Sequence, residues 1–268
     1  MKKIKAAIAH NYLFRLAPAL YKKFWYRKLG FHSGQYLNIE RELKWMPLFM
    51  HKDAVFFDVG ANIGLYLYLA EKLGVEKAYA FEPVPFLYKK LKSIFPQYEV
   101  KNLAFFTAKG KHTLRIPVVN GENIETRASL TGLFPQQKVV EFEVETDSID
   151  AFCSDHSIVP TFIKMDVEGA ENGVIEGAAH LLETAKPYLM IEIEKQHNPR
   201  YQEIIDFIKS KNYRCFYLDT DGKSLGEYRD IDALQVAEAY GSPHYVNNFL
   251  FIPSADTDMI TKLAHYEA

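Results

Sequence analysis

Val55-Phe56-Phe57-Asp58-Val59-Gly60-Ala61-Asn62-Ile63-Gly64 is the stretch from which the fold can be read. It is apolar up to Asp58, the pattern of a strand buried on both faces in a parallel sheet covered by helices. Gly60 and Gly64 then let the backbone leave the strand sharply and enter a helix, with amide groups open to a ligand. Tyr66, Leu69, Ala70 and Leu73 follow at helical spacing, and Gly74 is placed to end that helix. Strand, glycine turn and helix make the layout of a nucleotide-binding α/β fold, whose ligand lies outside the carboxyl end of the strand.

The spacing of the glycines narrows the ligand. A dinucleotide fingerprint reads G-x-G-x-x-G, and here Asn62 stands at the second glycine, so close backbone approach to a pyrophosphate is not provided. No Gly-Lys-Ser or Gly-Lys-Thr follows, so a P-loop is absent as well. What remains is a site for a nucleoside without a phosphate chain. Asp58 sets a carboxylate at the turn, able to accept from an ammonium group. A second buried strand, Ala78 to Phe81, ends at Glu82-Pro83, the distance downstream at which such folds place an acid on the ribose hydroxyls.

Composition sets outer limits. The chain has 268 residues, 48% of them hydrophobic, a formal charge of −2 and two widely separated cysteines, Cys153 and Cys215. Its length suits one large α/β domain with an appendage, or two small domains. The charge removes any chain-wide argument for nucleic acid. Cysteine spacing suggests neither a disulfide framework nor a zinc site, and no apolar run reaches the length of a membrane span. The expected location is the cytoplasm.

Residues 1–52 form a basic, aromatic-rich segment. Lys2, Lys3, Lys5, Arg15, Lys22, Lys23, Arg27 and Lys28 stand in its first thirty residues without an acid, among Tyr12, Phe14, Tyr21, Phe24, Trp25 and Tyr26. Two readings are open. Such a helical segment can lie on an anionic membrane surface at the inner face of the membrane, or it can pack its aromatics on the domain and show its lysines to water. Pro18 interrupts the helical pattern.

Beyond Glu82 the pattern runs helix (Phe86 to Phe95) and strand (Tyr98 to Phe106). Asn102, near the end of that strand, is either a contact to the edge of an adenine or a turn residue. Thr113 to Val119 and Lys138 to Glu145 read as paired strands joined by a long polar loop, in which Arg127 and Ser129 are candidate ligand contacts. Pro187 to Ile193, Tyr213 to Leu218 and Tyr245 to Ile252 complete the strands. Asp219 to Gly222 reads as a turn and 256–268 as a C-terminal tail.

The second chemical stretch is Phe162-Ile163-Lys164-Met165-Asp166-Val167-Glu168-Gly169-Ala170-Glu171. Lys164 and Asp166 share one face of a strand that should be central, where charges have to pair or meet a ligand. One helix begins near Gly169 and carries Ile175, Ala178, Ala179 and Leu182. Strand, acid, glycine and helix thus repeat the first unit and aim a second set of groups at the same crevice. The next strand ends in Glu192 and Glu194, with His197 just beyond, well placed for proton transfer.

The stretches Phe57 to Gly64, Phe81-Glu82-Pro83, Ile163 to Glu171 and, more loosely, Met190 to Glu194 resemble the FkbM family of S-adenosylmethionine-dependent methyltransferases. The resemblance covers 53–255. It implies a Rossmann-like class I methyltransferase fold, a mostly parallel seven-stranded sheet with its last strand antiparallel and helices on both faces, and S-adenosyl-L-methionine as cofactor. Asp58, Gly60 and Gly64 would hold the donor and Glu82 its ribose; from the residues themselves, Asn62 in the same turn and Asn102 at the adenine are further candidate cofactor contacts. Where the family has a short Ala-Val-Gly after the third strand, this chain has Ala104-Phe105-Phe106. Family members methylate hydroxyls of sugars, glycolipids and related metabolites, so the expected activity is O-methylation of a glycan or small-molecule acceptor. Asp166, His197 and Glu194 are the candidates to receive the acceptor's proton, with no metal required. Alternatives are a divalent-metal-assisted enzyme using Asp166, Glu168 and Glu194, a non-catalytic module binding a nucleoside or glycan, and a nicotinamide oxidoreductase.

Overall fold

A computed structural model of the chain describes residues 14–30, 40–119, 122–123, 128–131, 138–219, 224–240, 242 and 245–266. Along it come α1 (Pro18–Lys28), α2 (Met46–Phe49), β1 (Val55–Val59), α3 (Leu65–Lys72), β2 (Lys77–Phe81), α4 (Pro85–Ile94), β3 (Glu99–Lys101), β4 (Ala104–Phe105), β5 (Gly110–Val119), β6 (Glu122–Asn123) and β7 (Val139–Asp147). Then follow α5 (Ile149–His156), β8 (Phe162–Met165), α6 (Glu171–Glu176), α7 (Ala179–Thr184), β9 (Tyr188–Glu192), α8 (Tyr201–Ser210), β10 (Tyr213–Leu218), β11 (Leu225–Glu227), β12 (Asn248–Pro253) and α9 (Thr257–His265).

The main sheet has the order β11-β10-β12-β9-β8-β1-β2-β3. β3, β2, β1, β8 and β9 are parallel, and β12 runs against both of its neighbours. The seven expected strands are therefore present with the last one reversed, and β11 adds an eighth at the edge. The chain walks outward from β1 through β3 and then returns to β8 on the other side of β1. The crevice for a ligand opens at that switch point, beyond the carboxyl ends of β1 and β8.

Alternation along the strands divides the core in two. Phe56 and Phe162 face Tyr21, Tyr26, Leu91 and Leu263, while Phe57 and Ile163 face Phe152, Leu182 and Ile205. Both faces of the sheet are covered, which is why β1 can be apolar on both. A second, four-stranded sheet, β4-β7-β5-β6, sits beside this core. Its inner side packs Leu114, Ile116 and Val144 on Val84, Leu87 and Ala104.

Several expectations are corrected. Residues 98–106 are not one strand: β3 belongs to the main sheet and β4 to the second. The Asn102 amide between them donates to the carbonyls of Glu82 and Pro83, at 2.9 and 2.8 Å, and turns the chain out of the sheet. The helix expected from Gly169 is two, α6 and α7, because the Asp150 carboxylate accepts from the amides of His180 and Leu181, each at 2.8 Å, and so starts a new helix. The final strand begins at Asn248 rather than Tyr245. Within the expected tail lies α9, with Met259 and Leu263 buried. The expected interruption at Pro18 is present: a helical stretch at residues 14–16 ends, Ala17 is non-helical, and Pro18 opens α1 as a new helix. Lys2, Lys3, Lys5, Tyr12, Arg127 and the turn residues Thr220 to Gly222 lie outside the described residues. No helix among the described residues is long and apolar enough to cross a membrane.

Candidate functional site

The first turn is built for close approach. Gly60 has φ +78°, and a Cβ there would stand 1.8 Å from the Asp166 carbonyl oxygen, so the two turns that flank the crevice touch through a glycine. Asn62 also adopts a left-handed φ, +50°. Its amide donates to Glu82 Oε2 at 2.7 Å, and the Val84 amide donates to Glu82 Oε1 at 2.8 Å. One carboxylate thereby fixes the turn after β1 and the start of α4 together. Asn62 Oδ1 and Asp58 Oδ2 are buried and make no hydrogen bond. A buried acceptor left without a donor is unfavourable by about 1–3 kcal/mol, and both sit at the carboxyl end of β1.

The cleft beyond this end has Asn62 and Glu82 on one side and Asp166 and Glu168 on the other. Leu103, Ala104 and Phe105 make an apolar wall, and Ala128 and Leu130 reach over from beside β5. It encloses about 570 Å³ of empty space, its open mouth included. Gly64 does not line it. A Cβ at Gly64 would meet Leu91 at 2.6 Å, and the Tyr26 hydroxyl donates to the carbonyls of Ile63 and Gly64 at 2.8 and 2.9 Å. The second glycine therefore serves packing between α3, α4 and α1.

Beside the cleft, on the α3 side of the sheet, lies a buried set of charges. Lys164 is 2% exposed, lies over the Tyr66 ring and stands 3.8 Å from Asp166 Oδ2. Burial pulls the Lys164 ammonium down, but Asp166, Glu40, Glu192 and Asp58 more than offset this and raise it. Burial pushes Asp58 up to about 7 despite Lys164, and it lifts Glu192 well above the carboxylate range, helped by Asp166. The Tyr66 hydroxyl donates to the Glu40 carboxylate. One cation thus serves several carboxyl groups, and protons have to be held in the set.

His197 lies on the loop after β9, between two acids. Its Nδ1 is 3.3 Å from Glu168 Oε2 and 3.2 Å from Glu194 Oε2. Glu168 owes its place to a left-handed turn, φ +49° followed by Gly169 at +87°. The Ser129 hydroxyl donates to the Glu168 carbonyl at 2.5 Å, so Ser129 anchors this turn. Glu171 accepts from the Gly169 amide at 2.7 Å and from Asn198 Nδ2 at 2.6 Å, which links the start of α6 to the histidine loop. Burial lifts the Glu171 carboxyl to about 7.

Gly60, Asn62, Glu82 and Asp166 therefore line one cleft, with Asp58 behind them. Asp166, Glu194 and His197 meet in an adjoining acidic recess with Glu168 and Glu192. Gly64 and Asn102 are held in backbone packing and backbone hydrogen bonds. Among the described residues no group of His, Cys, Asp and Glu is set to hold a metal ion. Sequence reasoning missed Glu40, Tyr66 and the seat of Phe106. A Cβ at Gly173 would stand 2.2 Å from the Phe106 ring, so this helix glycine makes room for the unexpected aromatic, and a Cβ at Gly177, just past α6, would stand 2.2 Å from the Phe106 backbone carbonyl. The pairing of a bulky residue with Gly173 and Gly177 was the available signal.

A parallel sheet with a reversed last strand and a glycine turn joined to an acid at the end of β2 defines the Rossmann-like class I methyltransferase fold. The chain belongs to the FkbM methyltransferase family: the Methyltransferase FkbM domain matches residues 58–215, more than half of its length. Among solved structures, the FkbM methyltransferase of Methylobacillus flagellatus is similar with 18% identity and a TM-score of 0.48, over 75% of this chain and 44% of that one. The chain thus spans less than half the length of that protein. A TehB-like SAM-dependent methyltransferase from Corynebacterium glutamicum is similar with 12% identity and a TM-score of 0.44, over 88% and 98%. An O-methyltransferase from Bacillus cereus, in complex with SAH, has 9% identity and a TM-score of 0.40, over 79% and 78%. No curated protein matches the chain.

Proposed function

We propose that the chain is a cytoplasmic S-adenosylmethionine-dependent O-methyltransferase that acts on a hydroxyl of a sugar in a surface glycan, glycolipid or related metabolite. The observation that carries this reading is Glu82, pinned by two amides at the rim of a cleft that Asn62 and Asp166 also line, with the buried, unpaired oxygens of Asn62 and, behind the lining, Asp58 close by. The two amides fix the Glu82 carboxylate at the rim, where an acid would meet a ribose diol. The unpaired oxygens suit the ammonium end of the donor, and Leu103, Ala104 and Phe105 suit its purine.

When bound, the donor supplies an electrophilic methyl group whose bond to sulfur breaks as a bond to the acceptor oxygen forms. The chain's part is alignment, exclusion of water and removal of the hydroxyl proton. His197 takes that proton in this reading. Glu168 and Glu194 on either side of it favour the imidazolium that results. Asp166, nearer the cleft, is the second candidate.

Calorimetry of the full chain with S-adenosylmethionine and S-adenosylhomocysteine tests the donor, and uptake of neither overturns the reading. Mass spectrometry of surface glycans with and without the protein tests the acceptor. The expected difference is one methyl group, whereas donor uptake with no methyl transfer to any sugar would make the chain a silent binding module.

A further inference from the structure

We infer that the outer face of α1 docks on an anionic lipid bilayer. The inner face is used by the fold: Tyr21 and Tyr26 are buried, and Lys22 pairs with Glu71 at 2.7 Å. The outer face presents Leu20 and Phe24, one turn apart and 60% and 57% exposed. Beside them stand Lys23 and Arg27, also one turn apart and exposed. Leu16, just ahead of the helix, is 85% exposed. Three of the six large hydrophobic residues that stand exposed among the described residues are thus gathered on this one segment.

Charge identifies the occupant. Eight Lys and Arg and no acid precede Glu40 in a chain of net charge −2, so the remainder carries −10. An anionic surface attracts this end and repels the rest, which sets an orientation as well as a contact. Protruding aliphatic and aromatic side chains between cations fit the boundary of headgroups and acyl chains. Nucleic acid and acidic proteins would use the cations but have no comparable place for Leu20 and Leu16. The other side of the same helix holds the first glycine turn through the Tyr26 hydroxyl. A bilayer on α1 would then stand roughly 10 Å, one helix diameter, from Ile63 and Gly64. None of this depends on the methyl-transfer reading.

The test is co-sedimentation of the full chain with vesicles of phosphatidylcholine alone and of phosphatidylcholine mixed equally with phosphatidylglycerol. Binding is expected only to the mixed vesicles and is expected to weaken as salt rises. The double variant Leu20→Ser/Phe24→Ser should lower it by about tenfold or more, and Lys23→Glu/Arg27→Glu should do so independently. Unchanged melting temperature and an unchanged circular dichroism spectrum verify that each variant is folded. Absence of binding to the mixed vesicles overturns the inference. So does equal binding to neutral ones, or binding that survives loss of Leu20 and Phe24 and is competed away by polyglutamate.

Discussion

The carboxylate of Glu82 accepts the Asn62 amide on one oxygen and the Val84 amide on the other, at 2.7 and 2.8 Å. Both oxygens are therefore needed as acceptors. Glutamine in this place would turn an NH2 group toward one of the two amides and leave that amide without a partner. Glu82→Gln is expected to weaken binding of S-adenosylhomocysteine by at least about tenfold, a loss of roughly 1.4 kcal/mol, as read by calorimetry. Affinity equal to that of the unaltered chain would remove Glu82 from the donor site.

Gly60 faces the Asp166 carbonyl with no room for a methyl group, and its φ of +78° is unfavourable for any other residue. Gly60→Ala should destabilise the fold by about 3 kcal/mol or more through strain and overlap together. Urea unfolding checks this. Gly74, which also has positive φ but has nothing within 4 Å of its Cβ position, should tolerate alanine far better.

Replacing His197 with glutamine keeps a polar side chain between Glu168 and Glu194 but removes the group that accepts a proton. The expected result is a fall in kcat of about 100-fold or more with donor affinity unchanged, measured by methyl transfer and calorimetry on the same preparation. A kcat close to that of the unaltered chain would move the proton transfer to Asp166.

Burial pushes the Glu42 carboxyl from its ordinary value of 4.5 up to about 7. Between these values the folded chain holds a proton that the unfolded chain has released, so stability falls as pH rises. The contribution is complete below pH 4.5 and is lost as pH passes through 7. Glu42→Gln escapes this loss. It should match the unaltered chain in acid and exceed it at pH 8 by up to roughly 3 kcal/mol, at 1.36 kcal/mol per unit. Denaturant curves at both pH values decide it, and a variant that is less stable at pH 8 would contradict the assignment.

The parts of the site readable in the sequence are those written into short runs. Val55 to Gly64, the Glu82 that follows Phe81, and Ile163 to Glu171 each carry strand, turn and polar group within a few residues, and the structure sets them around one crevice. What escaped were relations across the chain. Gly60 needs its missing side chain because of Asp166, over a hundred residues later, and Gly173 because of Phe106. Tyr66 and Glu40 meet only because α3 and the segment before α2 pack on the same side of the sheet. Of the two roles the sequence leaves open for Asn102, adenine contact or turn residue, only its amide on the carbonyls of Glu82 and Pro83 picks out the turn. The split between α6 and α7 is likewise set by Asp150, which belongs to a different helix.

The overhang of the cleft comes from beside a small sheet that pairs separately from the parallel one. Ala128 and Leu130 overhang the pocket from the partner segment of β5, packed on the cluster of Val84, Leu87 and Ala104 and tied to Glu168 by the Ser129 hydroxyl. In the proposed reading, acceptor preference and donor capture are thus written on separable pieces of chain. Exchanging this segment between family members would then be a route to new acceptors that leaves the proposed donor contact of Glu82 intact.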